Sequence, residues 1–367
     1  MTLPSKILAG ALLLAVLAGT TLAMAISRNA PCGPAPVVAA TQRMKAAVHR
    51  CYGSAEVVRI EAVARPIPSD LGVLVRVRAT SINPLDWHFM QGEPYLMRPN
   101  SGWGTPNDSS LGTDFAGTVE AVGKRVTRFK PGDEVFGAGH AAFAQYMRIP
   151  EAAVVALKPA DLTFEQTAAV PVAGITALQA LRDQGQLRGG QKVLINGAGG
   201  GVGTFAVQIA KAFGAEVTAV TNTGNLALVR SIGADHVIDY TREDFTQGIE
   251  RYDLILDLSG NHPLSAYRRV MTPAGYYVLA GDTHNGSWTG PLAGFAKALL
   301  VSKFVKQKLV PFQGNLNQQD LAILSDMLRT GKVKPVIDRR YNLEQIADAI
   351  RYQQGGHARG KVVVTID

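Results

Sequence analysis

Cysteine is nearly missing from this chain: Cys32 and Cys51 are the two thiols among 367 residues. Two thiols exclude a four-thiolate structural zinc site and a disulfide framework, although a single Cys32–Cys51 bridge stays formally open. No run of five or more Lys or Arg occurs, and no basic-aromatic repeat, so the usual carriers of nucleic-acid binding are absent. No internal repeat or low-complexity block appears beyond the N-terminus. Charged residues make up 18% and hydrophobic residues 47%, which excludes wholesale disorder. What is present is a net charge of +8, which suits an anionic partner such as a phosphorylated cofactor or an acidic membrane surface. The length predicts about two domains, each able to bury a core.

Ile7 to Ile26 is an almost continuous apolar run without charge. As a helix it would measure about 30 Å, enough to cross a bilayer core. The alternative is a cleaved signal peptide, with Lys6 before the run and Ala23-Met24-Ala25 as a small-residue cleavage site. Arg28, Arg43 and Lys45 follow the run and favour its C-terminal side in the cytoplasm. The expectation is therefore a membrane anchor with cytoplasmic catalytic domains, export after cleavage being the competing reading. Ser27 to Gln42, rich in Ala and Pro, reads as a linker.

From Met44 the pattern is strand-rich and lacks helical periodicity. Met44–Val48, Val57–Val63, Val73–Ala79, Gly117–Val122 and Glu134–Phe136 alternate or are β-branched, with turn residues between them. Near Leu162 the style changes. Phe164–Leu181 reads as helical with a break at Pro171. Apolar strands at Val193–Ile195, Glu216–Thr221, His236–Ile238, Asp253–Leu258 and Tyr276–Ala280 then alternate with helices at Val202–Phe213 and Leu226–Ile232. This pattern means a parallel sheet buried on both faces. Leu309–Phe312 is a candidate sixth strand, confined to an edge by Pro311. A helix at Leu343–Tyr352 and a strand at Lys361–Ile366 close the chain.

The strongest chemical signal is the turn Gly197-Ala198-Gly199-Gly200-Gly201-Val202-Gly203, which follows a strand and opens a helix. Such a turn lets backbone approach a pyrophosphate, while the helix N-terminus offers free N–H groups and a positive dipole end. Enzymes that prefer NAD place an acid at the end of the second strand to hold the ribose. Here Thr221-Asn222-Thr223-Gly224-Asn225 holds none, which favours NADPH. Arg230 on the next helix is a candidate for the 2′-phosphate, or else a solvated surface charge. Gly281, just after the fifth strand, joins the cofactor set.

At this point the chain resembles the quinone oxidoreductase (zeta-crystallin-like) branch of the medium-chain dehydrogenases/reductases, from Met44 to Asp367. The resemblance rests on Ala79 to Asp86 (ATSINPLD), Leu111 to Gly137, Val170 to Ala177, and Gly233 to Tyr240. It implies an α/β architecture: a GroES-like β-barrel catalytic domain (44–162), an inserted Rossmann doubly wound parallel-sheet domain binding NADPH (163–313), and a tail returning to the catalytic domain (314–367). Residues 1–43 are then the hydrophobic N-terminal helix and linker. It further implies a substrate cleft between the domains and a homodimer. Metal-dependent relatives carry Cys near Ser81 and His in a Gly-His-Glu motif; here that motif is Gly112-Thr113-Asp114 and no Cys lies in Ser81–Asp86. A catalytic zinc lacks its thiolate and imidazole, leaving His88 and His140 as stray candidates that read better as loop histidines.

Without a metal, an activated acceptor is the natural substrate: a quinone, or the alkene of an α,β-unsaturated carbonyl, takes hydride at carbon and spreads charge onto oxygen. By resemblance Asn83 and Asp86 occupy cleft positions. Asn83 is expected to donate to substrate oxygen or nicotinamide, or else to serve as a turn residue before Pro84; Asp86 is expected to orient the loop. His88 stands where relatives carry Tyr and is a candidate proton relay. Thr176 is assigned to the nicotinamide or phosphates and Tyr240 to the adenine or 2′-phosphate, a helix hydroxyl and a surface aromatic being the alternatives. Leu292 to Phe312 mixes apolar residues with Lys297, Lys303, Lys306 and Lys308, and reads as a core-packed helix with a lysine face or as a helix lying on acidic lipid. Two further functions compete: a membrane-tethered NADPH-binding redox sensor with little turnover, and the disfavoured zinc alcohol dehydrogenase.

Overall fold

Nearly every strand forms where β-branched or apolar residues run together, and the described strands make three sheets, of two, six and seven strands. The computed structural model describes residues 17–39, 42–281, 287–288 and 292–367. The first lobe holds the hairpin β1 (Arg43–His49) with β2 (Val58–Ala64), and the long β3 (Gly72–Ser81). It continues through β4 (Asp114–Val122), β5 (Glu134–Ala138), β6 (Tyr146–Pro150) and β7 (Val154–Leu157). The second lobe is a six-stranded parallel sheet of β8 (Lys192–Asn196), β9 (Glu216–Thr221), β10 (His236–Asp239), β11 (Tyr252–Asp257), β12 (Met271–Leu279) and β13 (Lys308–Pro311). Its order is β10-β9-β8-β11-β12-β13, so chain order reverses beside β8, where open α/β sheets bind ligands. The tail forms β14 (Ile337–Asn342) and β15 (Lys361–Thr365); β15 pairs antiparallel with β3 and so rejoins the first lobe.

Each lobe has its own core. Val193, Ile195, Val217 and Leu256 pack with Phe205 and Ile209 on one face of the parallel sheet. Phe115, Val135, Met147 and Val362 fill the barrel. Pro84–Gln91 is a helix inside the strand-rich stretch: Pro84 sits at its first position and Gly92 ends it at φ +63. The helix Leu292–Ser302 turns Phe295, Ala298 and Val301 toward Tyr277 and Leu309, while Leu299 and Leu300 stay exposed and the segment continues into β13, so it is neither one long helix nor wholly core-packed.

The N-terminal expectation needs correcting. Among the described residues no helix is long and apolar enough to cross a membrane. The described part of the apolar run is a helix over residues 17–27, about 16 Å long, against about 30 Å for a bilayer core. Its distal end is bound to protein: Ile26 is buried, and the carbonyls of Ile26 and Arg28 accept bonds from Arg98. Apolar composition alone could not reveal that this end folds back on the first lobe. The membrane-anchored arrangement, and the cytoplasmic placement argued from it, are therefore withdrawn; the first ten residues of the run, 7–16, lie outside the described residues. The supposed linker is likewise partly fixed, since Cys32 forms a disulfide with Cys51.

Candidate active site

The glycine turn is built by the tip of β8. Asn196, buried at that tip, donates from Nδ2 to Asp257 Oδ1 (2.9 Å) and to Tyr267 OH (3.1 Å). Tyr277 OH, on β12, donates to Asp257 Oδ2 (2.7 Å), so β8, β11 and β12 are tied together through Asp257. Gly197 then adopts φ +91, a conformation that side chains resist. A Cβ on Gly203 would stand 2.2 Å from Gly197 O, and one on Gly199 would stand 2.6 Å from Asn225 Nδ2 and 2.7 Å from Thr221 Oγ1. The glycines therefore let loop, helix and second strand close on one another. Gly200 is the N-cap of the helix Gly201–Ala212, and no side chain caps the first N–H groups. The first N–H groups of this helix are thus left without a side-chain cap, with Ala198 buried and Val202 in the first turn.

Polar residues and one arginine stand beside the loop. Asn225 is buried, and its Oδ1 has no partner. Thr221 is buried at the strand tip and Asn222 follows it. The cation at this spot comes from the returning tail: Arg359 Nη2 lies 3.0 Å from where a Cβ on Gly224 would sit. Arg230 is exposed, in the last turn of the helix Leu226–Ser231 that follows. Tyr240 is exposed beside the tip of β9, its N–H bonded to Thr221 O (3.0 Å). Gly281 lies where a Cβ would meet Leu258 O at 2.1 Å. Thr176 donates its hydroxyl to Val172 O (2.7 Å) inside its own helix.

On the barrel side, five buried polar residues, Ser81, Asn83, Asp86, Asp114 and Lys361, form one cluster. Asn83 Nδ2 donates to Asp114 Oδ2 (2.9 Å) and Ser81 O (3.4 Å), and Asn83 Oδ1 accepts from Lys361 Nζ (2.5 Å). Lys361 also donates to Ile82 O (3.2 Å) and lies 3.4 Å from Asp114 Oδ2. Asp114 Oδ1 accepts the backbone N–H of Val172 (2.9 Å), and Ser81 Oγ donates to Asp114 Oδ2 (2.7 Å). Asp86 accepts from Asn83 N (2.8 Å) and from Thr113 Oγ1 (3.1 Å). Burial raises Asp86 to about 7, and burial pulls the Lys361 ammonium below its usual range. The amide of Asn83 is thus turned toward Asp114 and Ser81, not toward an open cleft. His88 stands apart from the cluster: it stacks on Trp87 at 3.9 Å, its Nδ1 is unpartnered, and burial lowers its pKa, holding it neutral.

Lys361 and Arg359 were invisible in the sequence. They sit in a Gly-flanked tail whose only local signal is a strand. What brings them in is long-range pairing: Gly360 N–H bonds Gly199 O (2.9 Å), and Gly200 and Gly360 form a parallel bridge.

Two family models match the chain: the alcohol dehydrogenase GroES-like domain over residues 69–159 and the zinc-binding dehydrogenase over residues 232–364. The chain is 34% identical over 336 residues to 2-methylene-furan-3-one reductase of Solanum lycopersicum, covering 88% of this chain and 79% of that protein. It is 32% identical over 342 residues to the NADPH-dependent alkenal/one oxidoreductase, chloroplastic, of Arabidopsis thaliana, covering 88% and 80%. The solved quinone oxidoreductase from Coxiella burnetii superposes with a TM-score of 0.78 at 27% identity, covering 89% of this chain and all of that one. The residues at the place of a catalytic zinc do not fit that ion. Ser81, Thr113 and Asp114 offer hydroxyls and one carboxylate, both Asp114 oxygens already accept bonds from the protein, and Cys51 is in a disulfide.

Proposed function

The chain belongs to the medium-chain dehydrogenase/reductase family, in its quinone oxidoreductase branch, and from that premise we propose that it is an NADPH-dependent reductase of quinones or α,β-unsaturated carbonyls. One observation carries the reading: the tail segment Gly360-Lys361 touches both halves of the site. Gly360 N–H bonds the glycine loop at Gly199 O (2.9 Å), and Lys361 Nζ bonds Asn83 Oδ1 (2.5 Å). A nucleotide held on the loop would therefore share a wall with the barrel cluster.

Gly197 to Gly203 would hold the pyrophosphate through backbone N–H groups and the helix dipole. Asn225 and Thr221 would hold the ribose, and Arg359 would pair with the 2′-phosphate in place of an acid. NADPH bound there supplies hydride to carbon. Asn83, Asp114 and Lys361 keep the cleft wall fixed, so that little reorganisation accompanies the reaction. His88 is held neutral and stands apart from the barrel cluster, so the proton that completes the product would come from water. The exposed Leu299, Leu300 and Phe304 stand near the edge strand β13, which supports a homodimer through that edge. Kinetics with a 1,4-quinone and with a short enone, each against NADPH and NADH, test this reading.

A further inference from the structure

Arg98 is wholly buried, and among the described residues its hydrogen bonds go to carbonyl oxygens and not to a carboxylate. Its five N–H groups all find acceptors. Nε donates to Gly92 O (2.8 Å) and Nη2 to Gln91 O (3.2 Å). The other three bonds go to the N-terminal segment: Nη1 to Ile26 O (3.0 Å) and Arg28 O (3.2 Å), Nη2 to Asn29 Oδ1 (2.8 Å). The guanidinium also lies 4.4 Å from the ring centres of both Tyr52 and Tyr95. A buried cation is tolerated only while such partners are in place.

The segment is fixed at two more points. Ala30 N–H bonds Gly104 O (2.9 Å), and Cys32 is joined to Cys51. Tyr95 in turn reaches the other lobe: its N–H bonds Ser287 O (2.7 Å), and its ring meets Trp288 edge-on at 5.3 Å. A continuous line of contacts runs from the disulfide through residues 26–32, Arg98 and Tyr95 to the cofactor lobe.

We propose that residues 26–32 are a strap, locked by the Cys32–Cys51 disulfide, that uses Arg98 as a positioning residue to hold the Tyr95 segment as a bridge between the two lobes. Reduction by a dithiol, which supplies two electrons and two protons and is itself oxidised to a disulfide, converts the bridge into two thiols and releases the strap. Arg98 then loses three of its five acceptors, and the bridge loosens. The kinetic consequence rests on the proposed enzyme activity; the structural one does not.

The test compares the full-length chain, oxidised and after dithiothreitol, with Cys32→Ser and Arg98→Lys. Cys32 is exposed, so its replacement by Ser removes the lock without touching a core. Amide hydrogen exchange across 94–101 is expected to speed up about tenfold on reduction. Cys32→Ser should exchange as fast without reductant and ignore it, while 192–203 stays protected in every form. The KM for a 1,4-quinone should rise about three- to tenfold, with the KM for NADPH unchanged. Arg98→Lys, which keeps the charge but not the five-donor fork, should fall between wild type and the reduced form. Equal exchange in 94–101 for oxidised, reduced and Cys32→Ser protein overturns the strap. A chain that shows the exchange change but no turnover keeps the strap and rejects the proposed activity.

Discussion

Lys361 Nζ lies 2.5 Å from Asn83 Oδ1, although 278 residues separate them in sequence. Both are buried, and the same ammonium lies 3.4 Å from Asp114. Replacing Lys361 by Met leaves the Asp114 carboxylate without its cation and Asn83 without its donor. Breaking a buried pair on one side costs about 3 kcal/mol or more. Urea unfolding of Lys361→Met should show that loss; an unchanged midpoint would mean the cluster is not charged in the folded chain.

The pH dependence follows from Asp86. Unfolded, it gives up its proton near pH 4; folded, burial holds the proton until about 7. Between those values the folded chain binds more protons than the unfolded one. Stability therefore falls as pH rises from about 4 to 7, by up to about 1.4 kcal/mol per pH unit from this group, and the contribution is complete only below that window. Asp86→Asn removes it. Unfolding at pH 5 and pH 7 should show a smaller pH difference in the variant; an identical difference contradicts the assignment.

A methyl group at Gly199 would enter the space held by Asn225 Nδ2 and Thr221 Oγ1. Gly199→Ala is expected to weaken NADPH binding about tenfold or more, read by quenching or calorimetric titration, with the circular dichroism spectrum retained. Wild-type affinity in this variant would remove the loop from the cofactor site.

Arg359 beside Gly224 gives a sharper contrast. Arg359→Ala should raise the Kd for NADPH about tenfold and leave NADH within about twofold, because only the former carries the 2′-phosphate. Arg230→Ala, exposed at the far end of its helix, should change neither. Equal losses for both nucleotides with Arg359→Ala would argue against a phosphate contact.

Much of the second lobe was legible because its signals are local. Val193–Ile195 is an apolar run of strand length, and the glycine turn follows it directly. Phe164–Ala168 and Pro171–Gln179 break where Pro171 predicts. The helix Pro84–Gln91 was missed although Asn83, Pro84 and Gly92 mark its ends, because flanking strands set the expected period. The amphipathic helix Gln318–Arg329 also escaped, its polar start masking the buried Leu321 and Leu324. Lys361, Arg359 and Arg98 carry no local signal: each acquires its partners only when distant segments meet. The apolar run at 7–26 misled for a related reason, since hydropathy records composition and not which carbonyls a distant arginine will claim.

The most direct test follows the loss of reduced nicotinamide absorbance when purified full-length chain meets NADPH and either a 1,4-quinone or a short enone, with deuterium at nicotinamide C4 traced into the product. The account predicts turnover, a kcat/KM with NADPH about tenfold above that with NADH, and deuterium on carbon in the reduced enone. Failure to bind either reduced nucleotide, or binding with no consumption in the presence of both acceptor classes, would contradict it.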